Sequence, residues 1–154
     1  MKLYLVQHAK AAPKEVDQQR PLTEEGLRDI QKIAGFIKPM NLCVDYLWHS
    51  GKKRAAQTAE VLAKVIKVNI AFTERQSLGP TDEVAALRAE FVSIAGDIMI
   101  VGHLPFLGKL ASLLLAGCES ANIVTFKNAG IVCMSRSEDR WQIDWMLTPE
   151  LLLD

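Results

Sequence analysis

Leu3-Tyr4-Leu5-Val6 is an unbroken apolar run that stops at the polar pair Gln7-His8, the pattern of a buried strand. A loop with Pro13 follows. Leu27, Ile30, Ile33, Ala34 and Ile37 then recur at helical spacing up to Pro39, with Thr23 placed as N-cap and Glu24 and Glu25 suited to the positive end of the helix dipole. Residues 44–48 read as a second strand ending in His49-Ser50-Gly51, after which Ala55, Ala59, Leu62, Ala63 and Ile66 mark a second helix. A short strand at 69–72 precedes a loop with Gly79-Pro80, and residues 82–91 read as a third helix opening on acidic residues. Residues 98–101 form the strongest strand pattern; it ends at Gly102-His103, and Pro105 opens a helix through Leu107, Leu110, Ala111 and Leu114. Residues 123–126, 131–135 and 141–146 supply three more short strands, antiparallel where they follow one another closely.

Alternating strand and helix followed by a run of strands predicts an α/β fold: a three-layer α/β/α domain around a mixed, mostly parallel central sheet. With 154 residues the chain is expected to form one domain, 1–154, since single cores are commonly built at about 100 to 200 residues. Such a length hides about 70% of the surface of the unfolded chain, so neither disulfide nor metal is needed to hold it. Cys43, Cys118 and Cys133 form no C-x-x-C pair and are read as buried free thiols. The apolar N-terminal run is too short for a signal peptide and no stretch has the length of a membrane span, so the expected compartment is the cytoplasm.

Charge narrows the partners. Lys and Arg number 18, as do Asp and Glu, so no global basic field exists to hold a nucleic-acid backbone or a membrane surface. Any anion binding must be local. In an open α/β sheet, ligands sit outside the carboxyl ends of strands, and three predicted strands end there in histidine: His8, His49 and His103. His8 and His103 are the functional candidates, and His49 taken alone is a structural loop residue.

Lys52-Lys53-Arg54 places three cations in the first turn of a helix, against its dipole, at a cost of about 0.3–1 kcal/mol each when exposed. A bound anion explains that placement, and beside two strand-end histidines it predicts an oxyanion pocket for phosphate. A zinc site is the competing arrangement, but no H-E-x-x-H, H-x-x-E-H or H-x-H spacing supports it. Also absent are a G-x-x-x-x-G-K-[ST] loop, a G-x-G-x-x-G after a strand and a G-x-S-x-G elbow.

Four segments carry a family resemblance: Leu5-Val6-Gln7-His8-Ala9, Arg20-Pro21-Leu22-Thr23 with Gly26, Ser50 with Arg54-Ala55-Ala56-Gln57-Thr58-Ala59-Glu60, and Val101-Gly102-His103-Leu104-Pro105. In that order, nearly end to end, the chain resembles the histidine phosphatase superfamily, and within it the small SixA-type phosphohistidine phosphatases. The resemblance implies a phosphoglycerate mutase-like fold, His8 as nucleophile, Arg54 gripping the phosphoryl oxygens, His103 donating a further hydrogen bond and Arg20 at the pocket mouth. It implies no metal and no cofactor. The expected substrate is a phosphorylated protein histidine, with a small phosphorylated substrate as the alternative. For His8 to attack through one nitrogen the other must hold the proton, which requires an acceptor, expected to be a backbone carbonyl.

The departures are equally specific. Gln7 stands where the family most often has arginine, Ala9 where it has glycine, Gly51 where proline is frequent and Leu104 where asparagine is frequent. Gln7 can donate from its amide but brings no charge. Losing one preorganised donor costs on the order of 100- to 1000-fold in rate, so a catalytically weak or inactive phosphate-binding homologue is the second expectation and a small-molecule phosphomonoesterase the third. Of the acids that could protonate a leaving oxygen only Asp82 and Glu83 are candidates, and both read better as helix-capping residues. A phosphohistidine substrate fits a site without such an acid, because an imidazole with reference pKa about 6.5 leaves more easily than an alkoxide.

Overall fold

The computed structural model describes residues 1–153. In chain order the elements are β1 (Lys2–Gln7), α1 (Glu24–Ile37), β2 (Cys43–His49), α2 (Lys53–Ala63), β3 (Lys67–Glu74), α3 (Val84–Phe91), β4 (Ile98–Gly102), α4 (Phe106–Ala116), β5 (Ile131–Ser137) and β6 (Arg140–Leu147). The strands form one sheet in the order β3-β2-β4-β1-β5-β6. β1 with β4, β2 with β3 and β2 with β4 pair in parallel, whereas β1 with β5 and β5 with β6 are antiparallel.

Successive side chains of the inner strands enter opposite layers, which is why those strands read as continuous apolar runs. Leu3, Leu5, Ile98, Ile100, Val132 and Met134 join a core with Val84, Leu87 and Phe91 of α3 and Phe106, Leu107 and Leu110 of α4. Tyr4, Val6, Met99, Val101, Ile131 and Cys133 join the other, with Ile30, Ile33 and Ile37 of α1 and Ala55, Ala59 and Leu62 of α2. The expected α/β/α layering is therefore present, with two helices on each face.

Residues 123–126 form no strand, contrary to the pattern. Val124 and Phe126 are buried and Ile123 is exposed, so the period of two is real. It arises because the segment packs beside α4 on the α3/α4 core, with the Asn122 N–H donating to Ser112 Oγ at 3.0 Å, rather than from pairing with a neighbouring strand. α3 begins at Val84, later than expected, because the Asp82 carboxylate closes the preceding turn by accepting the Gly79 N–H at 2.7 Å. Only Cys133 is buried; Cys43 and Cys118 are exposed, since one opens β2, where Asn69 Nδ2 meets its sulfur, and the other follows the C-cap of α4. Of the apolar tail, Leu152 packs on the α1/α2 core while Leu151 and Leu153 face outward. Among the described residues no helix is long and apolar enough to cross a membrane.

The N-terminus of α1 rests on the loop that follows β1. Thr23 Oγ1 caps the helix by accepting the Gly26 N–H at 2.9 Å, and the Thr23 N–H donates to the Lys10 carbonyl at 3.0 Å. Gly26 is required by that approach, because a Cβ there would overlap the Lys10 carbonyl oxygen. Gly26→Ala should therefore lower stability by about 1–3 kcal/mol. Gly35→Ala, on the exposed side of the same helix where an added methyl meets nothing, should raise it by up to about 1 kcal/mol. Urea midpoints of the two variants at unchanged m-value check the contrast.

Candidate active site

Register brings the site together. β1 and β4 pair Gln7 with Gly102, so the next residues, His8 and His103, emerge side by side, and the His8 N–H donates to the Gly102 carbonyl at 3.0 Å. β2 pairs His49 with Val101 on the other side of β4, which sets Ser50 beside the same strand end. The chain leaves β1 toward α1 on one face and β4 toward α4 on the other, opening a crevice between them at the carboxyl edge, where ligands bind in such sheets. The ring centroids of His8 and His103 are 5.1 Å apart.

His8 Nδ1 lies 2.7 Å from the Ala9 carbonyl oxygen. A carbonyl can only accept, so Nδ1 carries the proton and Nε2 carries the lone pair. The acceptor expected from sequence is thus the backbone of the very next residue. Ala9 is itself fixed: its N–H donates to Thr58 Oγ1 at 3.0 Å, and the Thr58 hydroxyl donates to the Arg54 carbonyl at 2.8 Å. Asn128 Nδ2 and the Ala129 N–H hold the His8 carbonyl from the segment before β5.

Arg54 sits in the first turn of α2, whose N-cap Lys52 offers no side-chain capping bond. The turn into this helix uses Gly51 at φ 87°, a conformation closed to the proline frequent in the family. Arg20, also at positive φ, donates from Nε to the Ala12 carbonyl at 3.1 Å. His103 is 1% exposed; its Nε2 contacts Ser50 Oγ. Among the described residues the buried side-chain nitrogen or oxygen atoms without a partner are Gln7 Oε1, Arg54 Nε and His103 Nδ1, carried by residues at the ends of β1 and β4 and in the first turn of α2. Buried polar groups are rarely left so, and their clustering marks a place for a ligand.

The electrostatics point to an anion. Burial pushes the His8 pKa down to about 4, and the Arg54 and Arg20 guanidinium groups add to the fall while the bond to Ala9 opposes it. His103 is pushed down to about 3 by burial, then by His8, Arg54, Lys52 and Arg20. Arg54 is lowered by burial and by Arg20. Every charged neighbour acting on the two histidines is cationic. With pKa values held that low both imidazoles are neutral at neutral pH, and Arg20 and Arg54 are the cations that act on both of them.

His49 closes β2 and has other contacts. Its Nδ1 accepts the Gly51 N–H at 3.1 Å and its ring meets Phe72 edge-on. Among the described residues no group of three or more His, Cys, Asp or Glu side chains converges as metal ligands. A cavity of about 440 Å³ begins at Leu104 and Pro105 and runs along Lys109, Val124 and Phe126, so it flanks the His103 segment without including His8 or Arg54.

Sequence reasoning assigned no role to Ser50, Thr58 or Asn128. Thr58 carried a signal, being a polar residue one helical turn beyond Arg54 on a face of otherwise apolar contacts. Ser50 and Asn128 carried none outside the family pattern, since their partners lie 53 and 120 residues away.

The sequence model of the histidine phosphatase superfamily (branch 1) matches residues 3–77, the stretch that holds His8, Arg20, Ser50 and Arg54. The chain is 30% identical over 149 residues to an uncharacterised protein of Picosynechococcus sp., covering 92% of this chain and 89% of that one. It is 23% identical over 154 residues to the phosphohistidine phosphatase SixA of Escherichia coli, covering 97% and 94% respectively. The solved structure of the protein histidine phosphatase SixA complexed with tungstate superposes with a TM-score of 0.84 at 21% identity, covering 98% of this chain and 99% of that chain. The fold is accordingly phosphoglycerate mutase-like. The chain belongs to the histidine phosphatase superfamily, whose members are phosphatase hydrolases.

Proposed function

We propose that this protein is a phosphohistidine phosphatase that moves a phosphoryl group from a protein histidine to His8 and then to water. The reading is carried by the bond from His8 Nδ1 to the Ala9 carbonyl, which leaves Nε2 as a neutral nucleophile. Arg54 and His103 offer buried, unpartnered nitrogens beside it. In the first step the Nε2 lone pair attacks phosphorus in line while the other ring nitrogen of the substrate histidine carries a proton taken from solvent, so that the bond from phosphorus to the substrate breaks and the group leaves with the electron pair as neutral imidazole. Arg54 and His103 stabilise charge on the equatorial oxygens. In the second step water attacks the phosphohistidine, releasing inorganic phosphate and free His8. Arg20 supplies positive charge at the mouth. No metal or cofactor enters the scheme.

Two further observations support a phosphohistidine over an alkyl phosphate. Asp82, one of the two candidate acids, is engaged in the turn before α3. An imidazole leaving group, with a reference pKa of about 6.5, has the least need of an acid. The name of the Escherichia coli relative points the same way. A second reading, a phosphate-binding homologue with little turnover, is favoured by Gln7, which adds no charge where the family usually has arginine and whose Oε1 is buried without a partner.

Phosphate release from a histidine-phosphorylated peptide, measured with a chelator present, should be seen for the wild type and abolished in His8→Ala. Saturable phosphate binding without release would move the assignment to the second reading. Gln7→Arg should raise turnover toward the roughly 100-fold that one preorganised donor contributes, or tighten phosphate; no change in either would show that Gln7 is not a weakened clamp. Because His8 is held down near 4, protonation removes its lone pair only in acid. The limb of kcat/KM set by His8 should stay level from pH 8 to about 5 and drop about tenfold per unit below 4, whereas an ordinary histidine would begin to fall near 6.5.

A further inference from the structure

We propose that Ser50 is a positioning residue that fixes the tautomer of His103, so that Nδ1 presents a proton to the bound anion. The inference takes its catalytic consequence from the phosphatase reading, but not its geometry. The two ring nitrogens of His103 have different surroundings: Nε2 meets Ser50 Oγ, and Nδ1 is buried with no partner. A neutral imidazole has one proton, so the direction of the Ser50 bond decides what Nδ1 can do. If the hydroxyl donates to Nε2, the proton sits on Nδ1, which becomes a donor. If Nε2 donates to the hydroxyl, Nδ1 turns a lone pair toward an anion and repels it.

Ser50 is placed to donate. Its Oγ receives the Lys52 N–H at 3.4 Å on one of its two lone pairs, and among the described residues His103 Nε2 is the acceptor that its own hydrogen meets. Lys52 is also the N-cap of the helix that carries Arg54, so one backbone turn sets both the Ser50 hydroxyl and the guanidinium. The resulting relay runs from the Lys52 N–H to Ser50, from Ser50 to His103 Nε2, and from His103 Nδ1 to the phosphoryl oxygen. It keeps a neutral histidine in the donor form without requiring it to be protonated on both nitrogens. Ser50 never touches the substrate in this scheme.

The test reads the tautomer first, by nitrogen-15 NMR of the histidine rings with inorganic phosphate added. His103 should be protonated at Nδ1 and bare at Nε2 in the wild type. Ser50→Ala should lose that preference, and Ser50→Thr, which keeps the hydroxyl, should regain it. On phosphohistidine peptide, Ser50→Ala should lower kcat about 10- to 100-fold with KM little changed, the signature of a lost transition-state donor. Added to His103→Ala it should slow the enzyme no further. A wild-type ring protonated at Nε2, an unchanged tautomer in Ser50→Ala, or a further loss in the double variant would each overturn the inference. If Ser50→Ala does not fold, the wild-type and Ser50→Thr spectra decide. A wild type that releases no phosphate would defeat the phosphatase reading, while the tautomer measurement would still decide the role of Ser50.

Discussion

β1 and β4 lie side by side in parallel, buried from both faces, and that pairing sets His8 and His103 next to each other. Parallel strands in the middle of a sheet must be covered by helices on both sides, and the apolar runs of β1 and β4 leave them no other place. Once they are paired with Gln7 opposite Gly102, His8 and His103 have to emerge at the same level. Their chains then depart to opposite faces, and the gap between them is the crevice. β2, paired on the far side of β4, brings Ser50 and the first turn of α2 to the same edge. A one-residue slip of β1 against β4 would turn each buried side chain to the wrong layer, so the core that stabilises the sheet also sets the spacing of the histidines.

Burial and positive charge act together at the strand ends. Two guanidinium groups and a lysine act on two imidazoles, and burial together with those cations keeps both rings neutral. Neutrality is what the roles proposed for His8, a nucleophile, and His103, a single-proton donor, call for, and the burial that raises the cost of charge provides it. Backbone contacts hold the arrangement in place. Ala9 takes the His8 proton contact, Thr58 ties Ala9 to the α2 turn that carries Arg54, and Gly26 lets α1 press on the loop behind them. Arg54 and His8 are thereby fixed relative to each other by two hydrogen bonds through a threonine, although they come from separate elements.

The departures from the family pattern fall into two kinds. Ala9 and Gly51 are accommodated by the backbone: Ala9 is fully buried and bonded to Thr58, and Gly51 takes a left-handed turn that proline cannot. Gln7 is different because it is neutral where the family most often has arginine, and its buried oxygen has no donor. Leu104 lies at the rim, where it lines the flanking cavity rather than the crevice.

Much of this was determined by the sequence alone. Apolar runs ending in Gln7-His8, His49-Ser50 and Gly102-His103 mark strand ends, Thr23 marks the start of α1, and the spacing of Arg54 after Ser50 places a cation in the first turn of a helix. These are local patterns, and local sterics and burial suffice to produce them. Where a pattern has two physical causes the sequence could not choose, as at residues 123–126, whose alternation comes from packing beside α4 instead of from a strand ladder. The thiols of Cys43 and Cys118 are exposed for a similar reason, because burial depends on which neighbours arrive and not on residue type. Only the tertiary structure decided that Ala9 takes the His8 proton contact, that Ser50 meets His103 and that His49 is turned aside toward Phe72. Such partnerships depend on sheet register and on the angle at which helices meet strand ends, and both are set by the packing of the whole core.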